Sequence, residues 1–163
     1  MSDSTIEPYD QALERFPGEV GGIEHGLAAF NEAFGNLADP RVGERMQALY
    51  AESMYFNDTL KTFEQRDDLV NYMEKTGANL DSSTVEIQQI LRDGPDVFVR
   101  WTMEFQTRAA GRDIHSRSIG MTHLRFNEQG QVVLHQDFWD SGHGLYAHLP
   151  VVGFMVRRVH DRL

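Results

Sequence analysis

The clearest suggestion of chemistry in this sequence is Asp58, which closes the run Met54-Tyr55-Phe56-Asn57-Asp58. Alternate side chains of an extended strand share a face, so Met54 and Phe56 turning inward carry Asp58 with them. A carboxyl held among apolar groups is harder to ionise, and its pKa climbs towards the range useful for taking and returning a proton near neutral pH. The same residue admits a structural reading. Asn57-Asp58-Thr59 suits a turn or a helix start, in which the Asp58 oxygens accept from nearby backbone N–H groups. The residues themselves leave both readings open.

Other chemistries have less behind them. The chain holds no cysteine, so disulfides, iron–sulfur clusters and thiolate catalysis are excluded within it. Seven histidines invite a metal, yet none is spaced as H-x-E-x-H or H-x-x-x-H. His143 and His148 stand five apart, and His115, His123 and His135 fall on different expected strands. Neither a metal nor a cofactor is expected. Gly142-His143-Gly144 and Ala109-Ala110-Gly111 read as turns, not as phosphate cradles.

Positioning a carboxyl among apolar groups requires a core, and 163 residues with 40% apolar and 25% charged content suffice for one soluble domain. The longest apolar stretch, Leu149 to Val156, is too short to span a bilayer. The start, Met1-Ser2-Asp3-Ser4-Thr5-Ile6-Glu7, has neither the basic nor the apolar part of a signal peptide, so a cytoplasmic location is expected. Residues 1–81 hold 16 acidic against 6 basic side chains, whereas residues 82–163 hold 9 of each. An acidic helical surface of that kind repels phosphate backbones, so nucleic acid is not an expected partner.

The elements follow from periodicity. Residues 1–22 contain Pro8, Pro17 and Gly18 and read as an extended lead-in. Ile23, Leu27, Phe30 and Phe34 predict a first helix ending at Gly35-Asn36, and Val42, Met46, Leu49 and Tyr50 a second after Pro40. Met54-Tyr55-Phe56 predicts a short strand. Leu69, Val70, Tyr72 and Met73 mark a third helix with Glu64, Asp67 and Asp68 in its first turn. Beyond Gly77 four runs rich in β-branched and aromatic residues, 84–92, 97–107, 114–126 and 132–139, are separated by turn signals and predict an antiparallel meander. Helices first and a meander afterwards define an α+β fold. A last helix is expected from about residue 150 to 162. On 97–107 the odd positions, Trp101 and Met103 among them, form the apolar face, and on 114–126 the even positions, including Thr122, do so. On 132–139 parity is ambiguous.

Three segments carry a resemblance: 49–58 with its Tyr-Phe-Asn-Asp ending, 122–133, and His135-Gln136-Asp137-Phe138-Trp139-Asp140, which is similar to an R-D-Y-W-D ending. Over residues 23–145 the chain resembles the SnoaL-like proteins of the nuclear transport factor 2-like superfamily. That resemblance implies a cone: three helices on a strongly bent antiparallel sheet, with a C-terminal helical tail at 146–163. It puts Asp137 and Trp139 inside the cone. Asp58 falls where ketosteroid isomerase keeps its general base, and Asp137 matches one acid of the limonene epoxide hydrolase triad. The remaining positions depart from both. The isomerase's oxyanion donors fall on Thr122 and about Phe30, and the hydrolase's Arg and second Asp on Trp101 and Met103, so neither named reaction is expected.

The resemblance implies Asp58 and Asp137 as acid/base candidates. Phe30, Phe56, Trp101, Met103, Thr122 and Trp139 are the candidate lining for a small apolar ligand, with Thr122 or Trp139 as the hydrogen-bond partner of Asp58. Two alternatives stand beside this: Asp137 pairing across the sheet with Arg or His, and Trp101, Met103 and Trp139 as plain core. Two function classes remain, an isomerase-, dehydratase-, cyclase- or hydrolase-type enzyme and a non-catalytic module for a hydrophobic ligand or protein partner. The superfamily's habit of pairing through the outer sheet face implies a homodimer, with Phe98, Arg100, Thr102 and Glu104 on that face. The apolar, then basic, tail reads as a docked helix, a lid or dimer contact, or a membrane-surface contact.

Overall fold

The computed structural model describes residues 6–162 apart from Ala110. Helices α1 (Ile6–Arg15), α2 (Ile23–Phe34) and α3 (Val42–Leu49) precede strands β1 (Tyr50–Asn57) and β2 (Thr62–Gln65). Helix α4 (Arg66–Ala78) leads into β3 (Leu80–Asp93), β4 (Asp96–Ala109), β5 (Arg112–Phe126) and β6 (Val132–Trp139). A short turn of helix, α5 (Ser141–Gly144), and α6 (Pro150–His160) follow. The six strands form one curved sheet in the order β2-β1-β6-β5-β4-β3. The α+β architecture, helices α2, α3 and α4 and the four meander strands are as the periodicity predicts.

The meander pairs antiparallel through short turns, but β1 lies parallel to β6. No hairpin constrains that pair, because the two strands are far apart in the chain. β1 is also longer than the expected Met54–Phe56, beginning at Tyr50. Glu64 belongs to β2, a strand the periodicity did not announce, and only Asp67 and Asp68 occupy the first turn of α4. The inner face of the sheet carries α2, α3 and α4 over Met54, Phe56, Val97, Val99, Trp101, Leu124 and Phe126. α2 lies close because Gly26 has no side chain: a Cβ there would sit 2.2 Å from the Phe126 ring.

The extended lead-in expected over residues 1–22 is overturned within the described residues, and its first five lie outside them. Residues 6–15 are helical and lie on the outer face, where Ala12, with Tyr9, Leu13 and Phe16, covers Tyr55 and Leu134. Pro8 sits in the first turn, where no N–H is needed, so it is compatible with the helix it seemed to forbid. Arg125 fastens the other end, donating from Nη1 to the carbonyls of Leu13 and Phe16 at 2.8 and 2.9 Å and from Nε to Asp96 at 2.6 Å. Asp96 also faces His123 Nε2 at 2.7 Å, and the Tyr9 hydroxyl lies 2.6 Å from His123 Nδ1. α6, by contrast, packs mainly against the single helical turn Tyr146–His148, with Arg157 donating to the Ala147 carbonyl. The His143 and His160 rings lie 4.2 Å apart, while Phe154, Met155 and Val159 are exposed. No helix among the described residues is long and apolar enough to cross a membrane.

This clasp sets a pH dependence. Burial lowers the pKa of His123 below its ordinary 6.5, although Asp96 opposes the shift. Between the two values the unfolded chain therefore binds more protons than the native one, and stability falls as pH drops through that window. Asp96 is also desolvated, but Arg125 and His123 outweigh burial and hold its pKa low, so its own contribution persists until strongly acid pH. Amide exchange protection in α1, corrected for intrinsic rates, is expected to fall between pH 7.5 and about pH 5.5. Unchanged protection would separate α1 docking from His123.

Candidate functional site

β6 pairs with β5 so that Gly120 faces Trp139 and Thr122 faces Asp137, and β4 adds Trp101 opposite Gly120. Trp101, Gly120 and Trp139 thus form one row across three strands. A Cβ on Gly120 would lie 2.4 Å from the Trp101 ring and 2.9 Å from the Trp139 Cβ, so glycine is what lets both indoles sit there. Above this row, walled by α2 and α4, is a cavity of about 380 Å³. Asp58, Asp137, Phe30, Phe56, Trp101, Met103, Thr122 and Trp139, the eight residues singled out from sequence, all border it. Tyr72 from α4 and His135 from β6 border it as well and were missed.

Asp58 both makes the turn and borders the cavity. Its Oδ1 accepts from the backbone N–H of Leu60 at 2.9 Å and of Lys61 at 2.8 Å, closing the β1–β2 turn in which Thr59 takes a positive φ of 72°. Its Oδ2 accepts from the Tyr72 hydroxyl at 2.6 Å. The expected partners are thereby corrected. Trp139 Nε1 donates to the Asp58 backbone carbonyl at 2.8 Å, not to the carboxyl, and Thr122 serves Asp137. Tyr72 wins because it lies on the inward face of α4, one helical turn from Leu69 and beside Met73, both buried. Burial pushes the Asp58 carboxyl above the usual carboxylate range, with the charge of Asp137 adding to it, while the Tyr72, Lys61 and Leu60 hydrogen bonds pull the other way.

Asp137 heads a second cluster. Its Oδ1 accepts from Thr122, which in turn accepts from Trp101 Nε1 at 2.8 Å, and faces His135 Nε2 at 2.8 Å. His135 Nδ1 is 2.7 Å from the hydroxyl of Tyr50. Full burial drives the Tyr50 pKa far upward, so that hydroxyl stays protonated. Tyr50 donating to Nδ1 and Nε2–H donating to Asp137 satisfies every atom of a neutral imidazole. Phe56 lies against His135, ring centroids 4.6 Å apart. No group of three or more metal-ligating side chains occurs among the described residues.

A curved sheet roofed by three helices is the fold of the nuclear transport factor 2-like proteins. The model of the SnoaL-like domain matches residues 23–135, and the chain belongs to that family. Similar solved structures include an LEH-like epoxide hydrolase from M. tuberculosis, at 13% identity and a TM-score of 0.61 over 77% of this chain and 87% of that one. A second is a hypothetical protein of ketosteroid isomerase-like fold from Catenulispora acidiphila in complex with trimethylamine, at 18% identity and a TM-score of 0.61 over 76% and 91%. A third, described as a SnoaL-like polyketide cyclase from Shewanella denitrificans, reaches a TM-score of 0.63 at 12% identity over 74% and 91%. Among curated proteins none matches by sequence. At such identities the structures share the fold, and the chemistry rests on this chain's own residues.

Tyr72→Phe removes the one side-chain donor that favours ionised Asp58. A further rise of the Asp58 pKa is expected, read by carbon-detected NMR titration, with a stability loss of about 1 kcal/mol. An unmoved Asp58 titration would show that the hydroxyl does not tune it.

Proposed function

We propose that this SnoaL-like pocket protein is an acid/base enzyme acting on a compact, largely apolar substrate by isomerisation, dehydration, cyclisation or hydrolysis, with Asp58 transferring the proton. The observation that carries this reading is a carboxyl on the wall of an apolar cavity, its pKa raised by burial and its orientation held by Tyr72 and two backbone N–H groups. Asp137, oriented by His135 and Thr122, is the second candidate. Phe30, Phe56, Trp101, Met103 and Trp139 supply the apolar contact area. A simple binding module needs no more than one satisfied acid, whereas Asp58, Tyr72, Asp137, His135 and Thr122 converge on this cavity, which favours an enzyme. Phe30 donates no hydrogen bond and Met103 carries no charge, so neither the isomerase nor the hydrolase constellation is complete.

A panel of small ketones and epoxides, with and without amino substituents, incubated in deuterated water and followed by NMR tests the reading. Solvent exchange at a carbon next to a carbonyl, or ring opening, is expected for at least one class. Asp58→Asn keeps an oxygen for the Leu60 and Lys61 N–H groups, so the fold is expected to survive while the rate drops by about 100-fold or more. Wild-type turnover in that variant, or no reaction across the panel, would favour the binding module.

Homodimerisation is part of the same proposal. Phe98, Arg100, Thr102 and Glu104 share the outer face with Ile119, which is 72% exposed, and Phe98 is stacked there on His123. Sedimentation is expected to give twice the mass of the chain at micromolar concentration, and a monomer would remove this element. Cytoplasmic residence also belongs to the proposal, with cell fractionation as its check.

A further inference from the structure

Among the described residues that border the cavity are two carboxylates, one imidazole, and neither lysine nor arginine. Asp58 is well supplied, with two backbone donors on one oxygen and Tyr72 on the other. Asp137 is not. Its Oδ1 takes Thr122 and His135, but among the described residues nothing donates to Oδ2, on a side chain only 14% exposed. A carboxylate with one oxygen idle beside the cavity, and with His135 on the other oxygen as its only ion-pair partner among the described residues, has room for a further charged donor. The surrounding walls are aromatic: Trp101, Trp139, Phe30, Phe34, Phe56 and Tyr72. Ring faces carry negative charge density and attract cations, Trp most strongly.

Ligand charge can be decided against this inventory. An anionic ligand would meet two like charges and no cationic donor. A neutral ligand would bring at most an uncharged, weaker donor to the idle oxygen. An ammonium group answers both, donating to the idle oxygen while its substituents lie on the rings. At about 380 Å³ the cavity is near the small end of ligand pockets, about 300–1,000 Å³, which favours a compact molecule.

We propose that the cavity takes a compact hydrophobic amine as its ammonium cation, held by Asp137 Oδ2 within the aromatic wall. The proposal rests on the small-molecule reading of the pocket and adds the charge of its occupant. A cation in the cavity also favours ionised Asp58, so binding makes that carboxyl a ready proton acceptor.

Trp101 and Trp139 are the only tryptophans of the chain and both border the cavity, so intrinsic fluorescence reports its occupancy. Phenethylamine, phenethyl alcohol and hydrocinnamate share an aryl-alkyl body and differ in charge. At pH 7 the amine is expected to bind about tenfold or more tightly than the alcohol, with the carboxylate weakest. Asp137→Asn, checked for folding by near-UV circular dichroism, is expected to cost the amine about tenfold and leave the alcohol within about twofold. An alcohol that binds as well as the amine, or an amine indifferent to Asp137→Asn, overturns the proposal and leaves the pocket reading standing. Binding of none of the three removes both. Should the variant not fold, the wild-type ranking decides alone.

Discussion

Strand β6 is clad on both faces, and its alternation ties the cavity to the outer clasp. His135, Asp137 and Trp139 point into the cavity, while Leu134 packs outward under α1. Gln136, also outward, accepts from Tyr55 at 2.7 Å and donates to Asn57 at 3.0 Å, pinning β6 to its parallel neighbour β1. A slip of one residue would exchange these sets, exposing Asp137 and burying Gln136 in the aromatic wall. Register is therefore specified twice, from inside and from outside. The same logic reaches β1, where Tyr55 joins the outer cluster and Phe56 the inner one, leaving Asp58 to continue inward.

The electrostatic problem created by two inward acids is handled differently at each. Asp58 is tied into a turn, so its orientation comes from backbone donors that fold with the β1–β2 hairpin. Asp137 depends on side chains: Thr122 from β5, itself braced by Trp101, and His135 two residues before it on β6, itself braced by Tyr50. Hydrogen-bonded networks of this kind hold geometry well when every member is satisfied. Among the described residues the member left without a donor is the second oxygen of Asp137, a residue that borders the cavity.

Periodicity made much of this legible, for identifiable reasons. The β4 alternation was clean because that strand has one wall of apolar odd residues and polar even ones, so Trp101 and Met103 could be placed. β6 resisted because both of its faces are covered and each mixes apolar with polar residues, Leu134 and Gln136 outward and His135, Asp137 and Trp139 inward, so neither parity reads as the core side. Only the likeness of residues 135–140 to a known ending placed Asp137. Tyr72 was recognised as part of a helix's apolar face, but nothing in the chain signals that its hydroxyl meets a carboxyl fourteen residues earlier. α1 was lost to Pro8, although Ile6, Tyr9, Leu13 and Phe16 keep helical spacing. His123 and Arg125 followed from that error, since a polar outer face looks solvated until a helix is laid across it.

A cavity of this size in a chain of 163 residues needs a reason not to collapse. Apolar cores close-pack, and a void forfeits dispersion contacts on every wall. Here the walls are held from behind. Trp101 lies over Gly120 and is fixed through Nε1 to Thr122, and Trp139 is fixed through Nε1 to the Asp58 carbonyl. Gly144 sits so near the Trp139 ring that a Cβ would come within 2.4 Å, which closes that side against movement. Each indole thus has its polar edge engaged and its rear blocked, and neither can swing into the space without breaking a buried hydrogen bond. The residues that hold the indoles are linked to the acids, since Thr122 joins Trp101 to Asp137 and the Asp58 carbonyl anchors Trp139, so the open space and the placed carboxyls depend on one arrangement.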